Sequence, residues 1–135
     1  LMNHINEGIA ILQAIGSDTR TQAAFALHPI TQNEYVGQYN WLYEHDNSIL
    51  DLAEDYADTA NSYLCRPETD HIQTVDDLDR HLNKCMRTEV AEMLYADKIQ
   101  NRKDFILYHL ETHERSTQLD HYFNLWIDYL NRWIM

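Results

Sequence analysis

Glycine and proline are scarce in this sequence, with three glycines and two prolines among 135 residues. Because these residues make most tight turns, their scarcity argues against an all-β fold and favours long helices. No apolar run approaches the roughly 18 residues that a membrane-spanning helix needs, so we expect no membrane association of that kind. Hydrophobic residues still make up 44% of the chain, enough to fill one core. We therefore expect one all-α domain over residues 1–135, a compact bundle of about six or seven helices.

Positive charge is also in short supply, since 10 Lys and Arg oppose 22 Asp and Glu and the formal net charge is -12. Neither a phosphate backbone nor an anionic lipid surface attracts such a protein, which argues against nucleic-acid binding and membrane-surface binding. Cysteine is rare as well. Cys65 and Cys85 have no metal-type spacing and follow no signal peptide, so we expect free thiols in a reducing cytoplasm.

Several stretches carry apolar residues at the three- and four-residue spacing of an amphipathic helix. They are residues 4–15, 18–28, 33–43, 47–64, 74–82, 88–110 and 116–133. Gly16 is placed to close the first helix in the left-handed conformation, and Ser17 or Asp18 to cap the second. The second helix should end near His28, because Pro29 disfavours helical geometry in the residue before it.

Turn and capping signals divide the rest of the chain. His45 and Asp46 suit a joint between the third and fourth helices. The stretch 65–73 has no periodicity and predicts the longest surface loop. Thr74, with Asp77 three residues later, predicts a capping box at the start of the next helix.

The last helix carries an aromatic stripe that includes Trp126, Tyr129 and Trp133. Such a stripe belongs either to the core of its own chain or to a surface that contacts a second copy. A homodimer formed through this helix is therefore one alternative that the sequence leaves open.

Asp97 and Asn101 are a carboxylate and an amide within the otherwise largely apolar stretch 93–101. Because they are four residues apart, they share one face of a helix and can act on one ligand. The apolar neighbours indicate that this face is buried, and a buried carboxylate needs a cation or hydrogen-bond donors. The stretch therefore contains either a ligand site or a structural Asp paired with Lys98, Arg102 or a backbone donor.

His4 and His28 lie beside apolar positions near predicted helix ends. Two imidazoles and one carboxylate, that of Asp97, suit a divalent cation such as Mn²⁺, Fe²⁺ or Zn²⁺. A structural role for each histidine, with no metal bound, is the alternative. Five other histidines lie in polar surroundings and are expected on the surface: His71, His81, His109, His113 and His121. Neither a Gly-rich phosphate loop nor a recognisable nucleophile motif is present.

Three motifs occur in order along the chain: Asn3-His4, then Ala23-Ala24-Phe25-Ala26-Leu27-His28, then Leu94-Tyr95-Ala96-Asp97-Lys98-Ile99-Gln100-Asn101. In this order they resemble the HD-domain phosphohydrolases, more narrowly the hydrolase domain of alarmone synthetase/hydrolases and the small alarmone hydrolases. In that family an early His belongs to an Asn-His-Pro type motif and an apolar helix ends in His-Asp. A later helix of the family reads Leu-Ala-Asp-Lys-x-x-Asn.

The resemblance implies an HD-like helical fold with a metal centre. His4, His28 and Asp97 would be the ligands of Mn²⁺, or of Fe²⁺ or Zn²⁺. Asn101 would contact the substrate, a guanine or other nucleotide such as ppGpp. Lys98, Arg102 and Lys103 lie beside the Asp97 face and offer positive charge for the substrate's phosphates, with ordinary solvated helix charges as the alternative.

The chain departs from the family at three carboxylates. Pro29 stands in place of the Asp of the His-Asp pair, itself a ligand, and Gln32 and Asn33 replace a Glu-Asp pair. Neither amide can act as a general base near neutral pH, so Glu34 is the nearby carboxylate that would have to compensate. Loss of an outer-shell partner alone costs about 10–100-fold in metal affinity, and loss of a direct ligand should cost at least as much.

These departures leave three functions open. The first is a degenerate HD-domain protein that binds a nucleotide, a metal or a protein partner with little or no turnover. The second is an active metal-dependent nucleotide phosphohydrolase with an altered ligand set, and the third is a structural or interaction protein. Alarmone hydrolases have about two helices before the first His, where this sequence has three residues. We therefore expect either a fragment or a chain without those basic helices.

Overall fold

The computed structural model describes residues 2–31 and 47–134. Within these ranges the protein is a compact bundle of six α-helices without β-strands. The helices are α1 (Met2–Ala14), α2 (Thr19–Thr31), α3 (Asn47–Ser62), α4 (Val75–Leu82), α5 (Thr88–Tyr108) and α6 (Ser116–Ile134). The all-α bundle expected from the sequence is thus confirmed. The helix predicted over residues 33–43 and the joint at His45 and Asp46 lie outside the described residues.

The turn between α1 and α2 forms as its sequence predicts. Gly16 has φ +84°, the left-handed conformation that glycine adopts without steric cost, and Ser17 N–H donates to the Leu12 carbonyl at 2.9 Å. Asp18 Oδ1 then accepts from the backbone N–H of Thr21 at 2.7 Å and from its hydroxyl at 2.8 Å. The glycine closure of α1 and the Asp18 cap of α2 are both confirmed.

The end of α2 differs from the prediction. The helix does not stop near His28 but continues through Pro29 to Thr31. Proline removes one backbone donor, whose acceptor in a regular helix would be the carbonyl of Phe25. The ring Nδ1 of His28 lies 2.5 Å from that carbonyl oxygen, so a side chain replaces the missing donor and lowers the cost of continuing the helix. The prediction of an end near His28 was therefore wrong.

The segment between α3 and α5 follows its capping signals. Asp77 N–H donates to Thr74 Oγ1 and Thr74 N–H donates to Asp77 Oδ2, both at 3.1 Å, which confirms the capping box. The preceding loop, predicted over residues 65–73, includes the 3₁₀ turn Pro67–Thr69. Short α4 is anchored by Leu78 and Leu82, which are buried in the core.

The core lies around α5, which packs against α1, α2, α3 and α6. From α6, Trp126 and Tyr129 are 0% and 1% exposed, and Trp133 packs against the edge of the core. Trp126 and Tyr129 therefore belong to the core of their own chain. None of the described helices combines the length and the apolar character that a membrane crossing requires. The position of α5 places Asp97 near the centre of the bundle.

Candidate metal centre

Three helices bring His4, His28 and Asp97 together. His4 lies on α1, His28 near the end of α2 and Asp97 in the middle of α5. One potential ligand atom from each lies within 4.8 Å of the other two, and the two imidazole centroids are 5.5 Å apart. In the part of the chain that the structure describes, no other three His, Cys, Asp or Glu side chains converge in this way. The other five histidines named above are exposed, as predicted.

The carboxylate of Asp97 is buried, and its two oxygens have different surroundings. Oδ1 lies 3.1 Å from His4 Nε2. Oδ2 lies 3.4 Å from Lys98 Nζ and accepts from Asn101 Nδ2 at 3.2 Å. Oδ2 is thus held by donors on α5 itself, whereas Oδ1 is directed toward the histidines.

These contacts keep Asp97 ionised. Burial alone raises the pKa of the carboxyl group, but the hydrogen bond from His4 and the charge of Lys98 outweigh it and lower the pKa to about 2. Asp97 is therefore an anion at neutral pH, which is the form that binds a cation.

His28 is held as a neutral ring. Burial, the largest effect, lowers its pKa, and the attraction of Asp97 opposes this only in part. Because Nδ1 is within hydrogen-bond distance of the Phe25 carbonyl, Nδ1 carries the proton and Nε2 the lone pair. A neutral imidazole with an assigned lone pair is the form in which histidine binds metals.

The spacing of the cluster suits a divalent cation. Metal–ligand bonds near 2.1 Å place two ligands at right angles about 3.0 Å apart, close to the 3.1 Å between His4 Nε2 and Asp97 Oδ1. Two ligands on opposite sides of a cation would be about 4.2 Å apart. The three ligand atoms of the cluster lie within 4.8 Å of one another, so they would need to move only slightly closer together. The donor set of two nitrogens and one oxygen fits Mn²⁺, Fe²⁺ or Zn²⁺.

Tyr56 of α3 supplies a further polar atom next to the cluster. Its ring lies 5.2 Å from that of His28, and its buried hydroxyl makes no hydrogen bond of regular geometry among the described residues but interacts with the Asp97 carboxylate. Burial and then the nearby charge of Asp97 raise the pKa of Tyr56 well above its ordinary value, so the hydroxyl keeps its proton.

Lys98 occupies a different place from the one expected of a substrate contact. It is 5% exposed, and Nζ lies 3.4 Å from the Tyr122 hydroxyl and 5.4 and 5.7 Å from the ring centres of Tyr122 and Trp126. Burial opposes its charge, but the attraction of Asp97 and the contacts with Tyr122 raise the pKa of Lys98. The ammonium therefore neutralises Asp97 from inside the core and has no access to a dissolved substrate.

The other predicted side chains are only partly gathered at the cluster. Asn101 contacts Asp97, whereas Arg102 donates from Nε to Asn124 Oδ1 on α6 at 2.9 Å. The predicted general base Glu34, and the residues Gln32 and Asn33 that replace the family carboxylates, lie outside the described residues.

A cleft of about 280 Å³ begins at His4. Glu7, Gln100, Lys103 and Tyr108 are among the residues that line it. Glu7 Oε2 accepts from Lys103 Nζ at 2.6 Å and from Gln100 Nε2 at 3.2 Å. The sequence motifs did not identify Glu7 or Gln100, although each follows a predicted ligand by three residues and so shares its helix face.

Phe25 and Tyr56 were also missed. Both are fully buried. Their role next to the histidines arises from contacts between helices, which a helical repeat in one segment does not reveal.

Comparison with known proteins assigns no family. No family model matches the chain, and neither a curated protein nor a solved structure matches it significantly.

Proposed function

We propose that this chain is an HD-like domain that binds a divalent cation through His4, His28 and Asp97, and that it binds a nucleotide with little or no turnover. The observation that carries the proposal is the convergence of these three side chains from α1, α2 and α5. Asp97 and His28 are buried and His4 is half-buried, and a cation would add to the compensation that Lys98 and Asn101 give the buried carboxylate. The same residues are the ones that the resemblance to HD-domain phosphohydrolases predicts as ligands.

The protonation states support cation binding. Asp97 is ionised and His28 is neutral at neutral pH, so neither must lose a proton to become a ligand. A cation would displace the proton that His4 Nε2 donates to Asp97 Oδ1. Asn101 and Lys98 hold Oδ2 of Asp97 and leave Oδ1 toward the two histidines. We therefore reassign Lys98 from a substrate contact to a residue that positions and neutralises Asp97.

The charge of the cluster argues for modest affinity. Asp97 is the one carboxylate among the three converging side chains, and the ammonium of Lys98 offsets its charge at 3.4 Å. A dication therefore meets little net negative charge. Pro29 also stands at the position where the family has a ligand Asp. The low net charge and the missing ligand both support binding of the cation without efficient hydrolysis.

The cleft beside His4 is the proposed nucleotide site. Lys103 offers positive charge and Tyr108, 69% exposed, offers a ring on which a base can stack. Lys103 is paired with Glu7, so a phosphate group must compete with that carboxylate for the ammonium. The net charge of -12 opposes an anionic ligand further. We therefore expect nucleotide binding to depend on the cation.

The first test is cation binding. Protein purified without chelator is analysed for Mn, Fe and Zn and titrated calorimetrically with Mn²⁺, alongside Asp97→Asn and Asp58→Asn. Asp58 is an exposed carboxylate on α3 and serves as the matched control. We expect about one cation per chain in the wild type and the control, and binding weaker by about 100-fold or more in Asp97→Asn. A wild type that stays empty in excess Mn²⁺ would rule out the proposed centre and leave a structural or interaction protein.

The second test separates binding from catalysis. Calorimetry with GDP and ppGpp, each with and without Mn²⁺, measures nucleotide affinity, and chromatography of the same mixtures measures hydrolysis. We expect binding that requires Mn²⁺ and little product. Rapid release of pyrophosphate, abolished in Asp97→Asn and unchanged in Asp58→Asn, would instead establish an active phosphohydrolase.

A further inference from the structure

The carbonyl of Phe25 has an acceptor position that the backbone does not fill. In an α-helix this carbonyl accepts from the N–H four residues later, but residue 29 is proline and has no N–H. The helix nevertheless continues to Thr31, and the ring Nδ1 of His28 lies 2.5 Å from the Phe25 oxygen. The imidazole therefore occupies the acceptor that Pro29 leaves available.

This hydrogen bond selects one form of the ring. A neutral imidazole has one N–H, and with that proton on Nδ1 the lone pair is on Nε2. The ring is also fixed by its neighbours, because the centroids of Phe25 and Tyr56 lie 4.6 and 5.2 Å from its own. Its tautomer and its orientation toward His4 and Asp97 are thus set together.

We infer that Pro29 is a positioning residue for His28: by withholding a backbone donor, it directs Nδ1–H to the Phe25 carbonyl and the Nε2 lone pair to the cluster. Metal-binding histidines commonly donate their other N–H to a carbonyl or carboxylate, and loss of that partner costs about 10–100-fold in affinity. The functional part of the inference rests on the proposed cation site. Pro29 would then support a ligand through the backbone, at the place where the family supplies a ligand side chain.

Pro29→Ala tests the inference because it restores the backbone N–H. The other proline, Pro67, opens a surface 3₁₀ turn far from α2 in sequence, so Pro67→Ala is the matched control. Two-bond ¹H–¹⁵N correlation spectra of histidine-labelled, metal-free protein at about pH 8 report which ring nitrogen is protonated. The His28 signals are assigned with His28→Gln, and Zn²⁺ affinity and thermal stability are measured on the same samples.

We expect the Nδ1–H tautomer of His28 in the wild type and in Pro67→Ala, and a substantial share of the Nε2–H tautomer in Pro29→Ala. Zn²⁺ affinity should fall about tenfold in Pro29→Ala, while the melting temperature stays equal or rises because Ala is the better helix former. Affinity and stability thus move in opposite directions, which a purely structural role of Pro29 would not produce.

The tautomer of His28 tests the positioning role of Pro29 whether or not a cation binds. An Nε2–H tautomer in the wild type, or an unchanged tautomer in Pro29→Ala, would overturn it. A tautomer that shifts as expected in a protein that binds no Zn²⁺ would uphold the positioning of His28 and refute the proposed cation function.

Discussion

Replacing Gly8 by alanine should damage both the fold and the cluster. Gly8 lies on α1 where that helix meets α2, and a Cβ at this position would lie 2.1 and 2.2 Å from Cε1 and Cζ of Phe25 and 3.0 Å from Gln100 Oε1. Carbon atoms in contact are about 3.5–4.0 Å apart, so the ring must move by more than about 1 Å. Phe25 is fully buried.

The magnitude follows from two opposing effects. Alanine is favoured over glycine within a helix by about 1 kcal/mol, whereas overpacking a well-filled core costs about 1–3 kcal/mol. Because the clash is with a fully buried ring, we expect the upper part of that range and a net loss of about 1–2 kcal/mol. The Phe25 ring also lies 4.6 Å from His28 and 5.8 Å from His4, so its displacement reaches both proposed ligands. Zn²⁺ affinity should fall at least about tenfold.

Urea unfolding and Zn²⁺ calorimetry measure the two effects, and Gly16→Ala is the control. At Gly16 a Cβ would meet no atom within 4 Å, but φ is +84°, which disfavours a side chain. This variant should lose about 1–2 kcal/mol through backbone strain and keep its Zn²⁺ affinity. A Gly8→Ala protein more stable than the wild type would refute the close approach of α1 to Phe25. Equal affinities in the two variants would refute the link from Phe25 to the histidines.

Other predictions address charge and capping. The pKa of Asp97 is lowered from 3.8 to about 2, so its ionisation stabilises the fold by about 2 kcal/mol above pH 4. That stabilisation is lost as the pH falls through about 2, and urea unfolding from about pH 2 to 6 should show a weaker pH dependence in Asp97→Asn. Lys98→Met removes the partner of a buried carboxylate and should lower the free energy of unfolding by about 3–5 kcal/mol. Mn²⁺ should raise the melting temperature of this variant more than that of the wild type. Thr74→Ala should lose about 1 kcal/mol in urea unfolding through its cap, with cation binding unchanged.

The sequence predicted those parts of the fold that local chemistry controls. Gly16 and the pair Thr74 and Asp77 act through their own backbone and nearest neighbours, so their positions sufficed. The end of α2 was predicted incorrectly because the rule for Pro29 is a local steric preference, which the rest of the fold can outweigh. It does not anticipate that the side chain of His28 can satisfy the carbonyl that proline leaves without a donor.

The candidate site was predictable to the extent that it follows a motif. His4, His28 and Asp97 were identified from residue type and order, and the structure brings them together. The burial of Lys98 was not predicted, because it depends on rings contributed by α6 rather than on the apolar repeat of α5. Contacts between distant segments are the information that a single sequence does not contain.

The ammonium of Lys98 also has a consequence for how α5 and α6 align. An apolar stripe can pack against another in several registers, because hydrophobic contact has no direction. A slip of one helical turn, about 5.4 Å, would separate Nζ from the Tyr122 hydroxyl and leave a buried charge with fewer partners. The same ion pair that holds Asp97 would thus make one alignment of the two helices more favourable than the neighbouring alignments. A buried charge, as well as apolar packing, would then determine how the two helices align.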